Sequence, residues 1–311
     1  MIKKIINRLY VNFSKPFVNK NLIIVRIDGG ICSQLMQYAF GQIVYEKIKL
    51  QNSKAQIKYD LSWFLKDGWD LLHKDKRNFD LDKLFPAINF QKASRSELSV
   101  YKRFYATQVH EFNDLIKLNT PLCLDDYYNF PDEYYIETIK RLFSFNDYSI
   151  DDINKKMFDE IKSCKNCCGV HVRRGDLANN EIAKKSGYVN GVCETEYFIN
   201  AIKIMKSNYE DIQFFFFSDD IEYVKKSILP EIKNQECFVV DINTAEDGYK
   251  DLFLLSNCNH QIASVGSLGI TSYALNPFEE KLLITNRESA FKLAQKAYLL
   301  DNKGEILKTK I

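Results

Sequence analysis

The stretch GVHVRRGDL, residues 169–177, joins an apolar segment to a charged turn. Its apolar part belongs to CCGVHV, residues 167–172, which is short and rich in β-branched residues, and this pattern predicts a buried parallel strand. Two arginines, a glycine and an aspartate follow where that strand should end. Ligands of α/β proteins bind beyond the carboxyl ends of such strands. The stretch therefore predicts an anion site at the edge of a parallel sheet.

Each charged residue of this stretch has a separate expected role. Strand alternation, continued to Arg173, places His171 and Arg173 on one face and turns Arg174 away. An arginine fork donates paired hydrogen bonds to phosphate oxygens and stays charged. Asp176 is expected to be ionised and to orient an arginine or accept from a ligand hydroxyl. A surface Arg-Asp ion pair after a core strand is the alternative, and these residues alone leave both interpretations open.

A second pair of acids ends another apolar strand. The segment IQFFFFS, residues 212–218, runs into Asp219 and Asp220. Acids at a strand end can bind a metal, act as a general base or recognise base and ribose hydroxyls. They can equally cap the helix that follows by placing negative charge at its N-terminus. The two acids are adjacent rather than alternating, and we therefore predict that no metal is bound.

Composition bounds the class of protein. The 311 residues are 46% apolar and 27% charged with a formal net charge of +2, which is typical of globular chains and does not favour extended nucleic-acid binding. No apolar stretch is long enough for a membrane span and no secretory signal is evident, so a cytoplasmic location is expected. Eight cysteines lack the spacing of a zinc site and are predicted to be reduced thiols, mostly in the core.

The N-terminal segment, residues 1–21, is basic. It carries five cations and no acid among interleaved apolar residues: Lys3, Lys4, Arg8, Lys15 and Lys20. This composition is compatible with peripheral contact with an anionic membrane surface. The alternative is a basic lead-in to the first strand, because Pro16 interrupts any long helix.

Strand and helix patterns alternate along the chain. Residues 21–30 predict a strand that runs into Gly29 and Gly30, and the next stretch has helical spacing. In the second half we predict strands near 167–172, 212–218, 238–241, 260–264 and 281–285. Helices are expected over 195–205 with Thr195 as cap, 245–258, 268–275 and 288–300. This order predicts a parallel, Rossmann-like sheet, with a less regular α/β first half.

Four blocks resemble one enzyme family. The residues VHVRRGD are very similar to the HxRRxD signature of α-1,2-fucosyltransferases and of related α-1,6- and protein-O-fucosyltransferases. Residues 27–42 resemble the GGLGNQ opening of the bacterial α-1,2-fucosyltransferases, although Cys32 and Ser33 replace its Gly-Asn. Residues 214–226 resemble the FSDD segment of that family, and residues 251–277 resemble its late DLxLMSxCxHxI block.

The resemblance implies a GT-B-like α/β fold, with two Rossmann-like domains facing a cleft. We place the acceptor-side domain at residues 1–160 and the GDP-sugar-binding domain at 161–311. The implied reaction moves L-fucose from GDP-β-L-fucose to the 2-hydroxyl of a galactoside with inversion, in surface polysaccharide or O-antigen synthesis, at the inner membrane. No cofactor is expected, and GDP-fucose and a galactose-terminated glycan are the expected partners.

Site residues follow from the matching positions. Arg173 is expected to stabilise the negative charge that grows on the β-phosphate, with Asp176 holding an arginine or contacting the donor. The expected substrate-binding residues are His171, Arg174, Gly29, Gly30, Gln34, Asp219, Asp220 and Ser267. No general base is assigned, and Asp28 is a candidate by position only.

The chain departs from the family in residues 265–271. They read VGSLGIT where the family pattern is close to NSSFSWW, so that Ser267 is the serine that remains. Two alternatives therefore stay open. One is a transferase that uses another GDP-sugar or acceptor, and the other is a catalytically silent protein that binds a sugar nucleotide.

Overall fold

The computed structural model describes residues 10–69, 73–146, 148–185, 187–188, 191–233 and 236–311. These residues form two compact units. The first holds the described residues up to Gly68, together with Arg77–Asp82 and Ala87–Tyr134. The second holds the described residues of Trp69–Lys76, Lys83–Pro86 and Tyr135–Ile311. The last segment of the first unit ends at Tyr134. The division into an acceptor-side domain, residues 1–160, and a GDP-sugar-binding domain, residues 161–311, stays a prediction.

The first unit contains a parallel sheet of three strands in the order β2-β1-β3. The strands are β1 (Leu22–Arg26), β2 (Gln56–Asp60) and β3 (Leu122–Leu124). A short 3₁₀ turn, Lys15–Phe17, precedes them. The helices up to residue 142 are α1 (Ile31–Gln51), α2 (Ser62–Lys66), α3 (Leu81–Leu84), α4 (Arg95–Phe104), α5 (Phe112–Leu115) and α6 (Asp132–Leu142).

Strand β1 and helix α1 confirm the predicted strand, glycine turn and helix. Residues 22–25 of β1 are buried, as expected for a strand covered on both faces. Gly30 is the N-cap of α1. A Cβ added to Gly41 of α1 would lie 2.7 Å from Val25 Cγ2, so the helix packs very closely on β1. This packing fixes where the glycine turn stands beyond the end of the strand.

The second unit contains seven strands in the order β10-β9-β8-β7-β4-β5-β6. The strands are β4 (Asn166–Val172), β5 (Ile212–Ser218), β6 (Cys237–Val239), β7 (His260–Ala263), β8 (Leu282–Thr285), β9 (Lys296–Leu300) and β10 (Ile306–Lys310). All pairs are parallel except β9 with β10. From β4 the chain adds β5 and β6 on one side, then β7, β8 and β9 on the other. The strand order therefore reverses between β4 and β7, which is where doubly wound sheets bind ligands.

Helices cover this sheet. They are α7 (Asp152–Ser163), α8 (Asn180–Lys185), α9 (Thr195–Asn208), α10 (Ile221–Tyr223), α11 (Gly248–Ser256), α12 (Leu268–Leu275) and α13 (Glu288–Leu293). Short helical turns of other types lie at Gly175–Ala178, Val224–Ile228, Leu229–Glu231 and Ala245–Asp247. Val170 and Val172 of β4 pack into one core cluster with Phe198 and Ile202 of α9. The apolar run before the arginines is thus a buried parallel strand inside the sheet, as predicted.

Three sequence predictions in this unit are wrong in detail. The last helix was expected over residues 288–300, but α13 ends at Leu293 and residues 296–300 form β9. Pairing with β8 and a hairpin to β10 overrides the helical composition of this segment. The helix expected over 245–258 begins with a 3₁₀ turn and is α-helical only from Gly248. Thr195 is not a cap, since Glu194 holds that position and the Thr195 hydroxyl lies 2.8 Å from the Tyr223 hydroxyl.

Other predictions concern the whole chain. All eight cysteines lie within the described residues, and all are free thiols. Among the described helices none is long and apolar enough to cross a membrane. Three cations of the basic N-terminal segment, Lys3, Lys4 and Arg8, lie outside the described residues.

Candidate active site

The switch point between β4 and β7 brings three chain segments together. Val172 of β4 pairs with Ser218 of β5, so Arg173 follows one strand where Asp219 follows the next. On the other side, His171 pairs with Ala263 of β7. The backbone N–H of Arg173 donates to Ser264 Oγ at 2.9 Å. The fold therefore places RRGD, SDD and the turn before α12 at one sheet edge.

Arg173 is the central group of this edge. Its guanidinium forms ion pairs with the carboxylates of Asp176 and Asp219. The Arg173 side chain is 25% exposed and that of Asp176 only 7%. A glycine is needed beside this cluster, because a Cβ on Gly175 would lie 2.4 Å from Asp219 Oδ2. Two acids thus orient one cation whose side chain is still partly open to solvent.

Arg174 points elsewhere, as the strand alternation predicted. Its backbone N–H donates to Asp219 Oδ1 at 2.8 Å, whereas its guanidinium carbon lies 3.7 Å from the centre of the Tyr223 ring. The Arg174 Nε lies 3.6 Å from Asp220 Oδ2. Asp220 also caps α10, because its Oδ1 accepts from the Tyr223 N–H at 3.1 Å. Asp219 therefore braces both arginines, and Asp220 performs the capping role that was left open.

His171 lies buried beside Arg173. It is 4% exposed, and burial together with the nearby Arg173 cation lowers the pKa of His171 to about 3. Its Nδ1 has no hydrogen-bond partner among the described residues. A Cβ on Gly269 would stand 3.5 Å from that nitrogen. His171 is therefore a neutral ring that supports the arginine without adding charge.

The turn between β7 and α12 completes the edge. Gly266 has a φ of +96°, which favours glycine, and a Cβ added there would lie 3.5 Å from Arg173 Cγ. Its carbonyl accepts from Arg287 Nη1 at 2.6 Å. Ser267 is the N-cap of α12, but its hydroxyl makes no capping hydrogen bond. The hydroxyl and the first N–H groups of α12 thus stand at a helix start, where anions bind.

Sequence reasoning missed four residues of this edge, namely Tyr223, Ser264, Gly266 and Arg287. A glycine two residues before a helix start is a signal that marks Gly266 as a tight turn. No local pattern marks the other three, because their contacts form only in the tertiary fold: Tyr223 with Arg174, Ser264 with Arg173 and Arg287 with Gly266.

The predicted site residues of the first unit surround its glycine turn. Gly29 has a φ of +72°. Gln34 is fully buried, and its Oε1 accepts from the backbone N–H groups of Asp80 and Leu81 at 2.9 and 3.2 Å. Its Nε2 donates to the carbonyls of Gly29 and Asn78 at 3.0 and 2.8 Å. Gln34 therefore holds the turn from inside the unit.

Asp28, the residue before that turn, is 2% exposed. Its Oδ2 pairs with Arg26 at 2.5 Å. Its Oδ1 accepts from the Tyr127 hydroxyl at 2.5 Å and from Gln37 Nε2 at 2.7 Å. Because both carboxylate oxygens are engaged, this geometry supports a positioning role rather than that of a general base.

Comparisons with known proteins show the family of the chain. The family model described as glycosyl transferase family 11 matches residues 93–304. An α-1,2-colitosyltransferase of Escherichia coli is 27% identical over 267 residues, which cover 79% of this chain and 85% of that protein. The O-antigen biosynthesis glycosyltransferase WbnK of Escherichia coli is 24% identical over 290 residues, covering 84% and 93%.

A solved structure has a similar fold. The fucosyltransferase NodZ from Bradyrhizobium matches with a TM-score of 0.50 at 12% identity, covering 94% of this chain and 100% of that one. At this identity the likeness concerns the fold alone, and it confirms the predicted α/β, GT-B-like class. The family model covers more than half of the chain, including β4 to β9 with the arginine edge. The chain therefore belongs to glycosyl transferase family 11 and is a glycosyltransferase.

Proposed function

We propose that the protein transfers L-fucose from GDP-β-L-fucose to the 2-hydroxyl of a galactoside, with inversion to an α-1,2 link. The observation that carries this proposal is Arg173, held by two carboxylates at the switch point of the second sheet. A family relative named for α-1,2 transfer and one named for O-antigen synthesis support the linkage and the pathway. A NodZ structure described as soaked with GDP-fucose supports the donor class. We infer that the acceptor belongs to a surface polysaccharide or O-antigen precursor.

The chemistry follows from where negative charge grows. As the bond between fucose and the β-phosphate breaks, the phosphate gains charge, and an oriented cation stabilises that charge more than the ground state. Arg173 supplies this cation. The Ser267 hydroxyl and the N–H groups at the start of α12 supply further donors. Asp176 and Asp219 prevent the guanidinium from reorienting before the charge develops.

We also propose that transfer is independent of metal ions. Asp219 is engaged by Arg173 and Asp220 by the N-terminus of α10, so neither acid is held ready for a cation. Arg173 and Arg174, at the edge of the second sheet, supply the positive charge that a divalent ion would bring to a diphosphate. We expect unchanged transfer after EDTA treatment. A loss that added Mg²⁺ or Mn²⁺ restores would overturn this part of the proposal.

The direct test is titration of the purified protein with GDP and UDP, together with a radiolabelled transfer assay from GDP-fucose to a galactoside panel. We expect GDP to bind more tightly than UDP. The Arg173→Ala variant should lose about 100-fold in GDP affinity, or about 2.8 kcal/mol at 1.4 kcal/mol per tenfold. Lys225→Ala, which removes an exposed cation paired with Asp241 in the same unit, is the matched control.

Two results would reject the assignment. One is equal binding of UDP and GDP, and the other is full transfer by Arg173→Ala. Tight binding of GDP-fucose by the parent protein with neither transfer nor hydrolysis would support the silent sugar-nucleotide-binding protein instead.

A second candidate donor is a GDP-sugar that carries colitose, the 3-deoxy form of L-fucose. The relative named α-1,2-colitosyltransferase favours it. The two donors differ by one hydroxyl, and a site that hydrogen-bonds this group discriminates strongly against the analogue that lacks it. The ratio of kcat/KM for GDP-fucose and GDP-colitose therefore decides between the two donors.

A further inference from the structure

A pocket of about 120 Å³ lies at the carboxyl edge of the sheet in the first unit. Side chains at the end of β1, from α1 and after β3 line it, among them Arg26, Gln37, Phe40, Asp126 and Tyr127. For scale, a cavity of roughly 150 Å³ accepts benzene. The pocket is smaller than such a cavity, so it has room for part of a pyranose whose remainder projects into solvent.

Tyr127 gives this pocket an exposed but oriented aromatic ring. The residue is 59% exposed, whereas its hydroxyl donates to the buried Asp28 carboxylate at 2.5 Å. Burial of the hydroxyl end and the neighbouring carboxylate raise the pKa of Tyr127, so the phenol remains a donor. A ring whose polar end is already anchored loses little conformational freedom when a ligand stacks on it. Large exposed aromatics of this kind are suited to the apolar face of a sugar ring.

Polar groups at the pocket are suited to neutral hydroxyls. The partners of Arg26 among the described residues are the Asp28 carboxylate and, at 3.5 Å, the Asp125 carbonyl. A guanidinium has five N–H donors, and the Arg26 side chain is 31% exposed, so donors remain for a ligand. Asp126, with a side chain 53% exposed, adds acceptors. Donors on Arg26 and acceptors on Asp126 together suit sugar hydroxyls, which both accept and donate hydrogen bonds.

The pocket wall is apolar and packed. The rings of Phe40 and Tyr128 stack with centroids 5.4 Å apart and planes 7° apart, and Phe130 meets Phe40 edge-on at 6.1 Å. Such a wall with a few placed polar groups is typical of small-molecule sites.

We propose that this pocket binds one pyranose ring of the acceptor glycan. Tyr127 stacks on the ring, and Arg26 and Asp126 hydrogen-bond its hydroxyls. Asp28 is a positioning residue that orients both Arg26 and Tyr127. This inference rests on the proposed function, because it assigns the acceptor of that reaction.

The test measures acceptor and donor separately on the full chain. Saturation-transfer NMR with methyl β-galactoside and lactose detects acceptor binding, and calorimetry with GDP measures the nucleotide site. We expect Tyr127→Ala to raise the acceptor KM about tenfold, the equivalent of about 1.4 kcal/mol, with GDP affinity unchanged. Tyr127→Phe keeps the ring and loses the bond to Asp28, so its effect should be smaller. Tyr10→Ala, an exposed tyrosine outside the pocket, is the control.

Intact GDP binding shows that the second unit of a variant has folded, and an unchanged circular dichroism spectrum checks the first unit. An unchanged acceptor KM in Tyr127→Ala would overturn the pocket assignment while leaving the proposed function in place. Failure of the parent protein to bind GDP or to transfer fucose would instead reject the proposed function.

An independent observation concerns a surface patch of Phe13, Phe17, Phe104, Lys15 and Arg103. Phe13 and Phe17 are 74% and 77% exposed, and their ring centroids lie 5.6 Å apart. Lys15 Nζ lies 4.2 Å from the centre of the Phe104 ring, and the Arg103 guanidinium carbon lies 5.4 Å from it. The patch therefore combines apolar rings with cations.

The charges of this patch favour an anionic bilayer over a protein as its partner. Within the described residues neither Lys15 nor Arg103 forms an ion pair with an acid, and residues 10–20 contain no acid. Aromatic rings beside unpaired cations are typical of surfaces that lie in the headgroup region of a bilayer. Each cation near an anionic bilayer contributes about 1 kcal/mol. A protein partner would need acids to match these cations, whereas an anionic bilayer matches both the cations and the exposed rings.

We propose that this patch binds the surface of an anionic phospholipid bilayer. The test is co-sedimentation of the full chain with vesicles of phosphatidylcholine alone or mixed with phosphatidylglycerol. We expect binding to the mixed vesicles only, with loss of binding at about 1 M salt, where the Debye length is about 3 Å. The Phe13→Ser, Phe17→Ser double variant should bind about tenfold more weakly. Leu65→Ser, at a residue 89% exposed on α2, is the control.

Equal sedimentation with both vesicle types, or unchanged binding of the double variant, would overturn this second proposal. Self-association without vesicle binding would overturn it as well and assign the patch to a second copy of the chain.

Discussion

The carboxyl edges of the two parallel sheets contain the same two kinds of group in opposite arrangements. In the first unit the carboxylate of Asp28 is central and buried, and Arg26 and Tyr127 surround it. In the second unit the guanidinium of Arg173 is central, and acids surround it. A buried acid at the centre compensates the arginine beside it. Both arginines stay partly exposed, with side chains 31% exposed at Arg26 and 25% at Arg173, but two acids orient Arg173 and one orients Arg26.

This difference shows how one kind of sheet edge can serve two ligands. The first edge presents an anchored ring and a compensated cation, which suit a neutral sugar. The second edge presents a guanidinium beside a helix start, which suits a diphosphate. The identity of the central group, rather than the number of charges, distinguishes the two edges.

The largest expected effect compares the buried acid of the first edge with an acid of the second edge. Asp28→Asn should lower the free energy of unfolding by about 3 kcal/mol, because it leaves Arg26 without its buried counterion. Asp219→Asn, at a side chain 29% exposed, should cost about 1 kcal/mol or less. Urea unfolding followed by circular dichroism measures both variants. Equal losses in the two variants would show that Asp28 and Asp219 contribute equally to stability despite their different burial.

The next effect tests how tightly the second edge is built. A Cβ on Gly269 would lie 2.4 Å from Ala263 Cβ, so Gly269→Ala should cost about 2 kcal/mol through overpacking. Because α12 begins beside it, GDP affinity should fall as well. Gly248→Ala is the matched control, since no heavy atom outside its own helix lies within 4 Å of its added Cβ. Thermal unfolding and GDP calorimetry that show no difference between the two variants would contradict this packing.

Acid should act on the second unit through two buried histidines. Burial lowers the pKa of His260 to about 4, and burial with Arg173 lowers that of His171 to about 3. The native rings therefore stay neutral while the unfolded chain takes up protons below about pH 6.5, so stability is complete above that pH and is lost as the pH falls. At about pH 5.5, each histidine should lower the free energy of unfolding by about 1.4 kcal/mol.

The measurement compares the free energy of unfolding at about pH 8, above the reference pKa of histidine, with that at about pH 5.5, below it. His260→Gln should remove about 1.4 kcal/mol of the acid-induced loss. His110→Gln is the control, because this side chain is 41% exposed. An unchanged acid response in His260→Gln would show that the histidine is not the titrating group.

The smallest effect separates the adjacent arginines. Arg174→Ala should reduce GDP affinity by about fivefold or less. The Arg174 guanidinium stacks on Tyr223, a contact worth roughly 1 kcal/mol, and so it supports the loop rather than the ligand. Calorimetry beside Arg173→Ala gives the comparison. Equal losses in the two variants would show that both guanidiniums bind the diphosphate.

Hydrophobic patterning accounts for most of what could be predicted of the second unit. Strands β4, β5, β7 and β8 were predicted because each is a short apolar run that is covered on both faces. Parallel strands end at one sheet edge, which is why the RRGD and SDD segments meet there. The position of β9 could not be obtained in this way, because its composition also suits a helix and its pairing with β8 decides the structure.

The detail of the site depends on contacts between distant residues. Asp28 and Tyr127 are 99 positions apart, and Arg173 and Ser264 are 91 apart, so no local pattern links them. Gln34 is a further example. It was predicted to bind substrate, and no local pattern shows that its side chain accepts from the backbone N–H of Asp80. Such contacts form only when β1 meets β3 and β4 meets β7.

The sequence by itself determined the alternation of strands and helices, the glycine turn after β1 and the family signature around Arg173. These features are local, because side-chain pattern and turn chemistry act over a few residues. Only the tertiary structure decided which arginine faces two acids, which acid caps a helix and which carboxylate is buried. The physical reason is that an ion pair or a hydrogen bond depends on the distance between atoms, and the fold sets that distance.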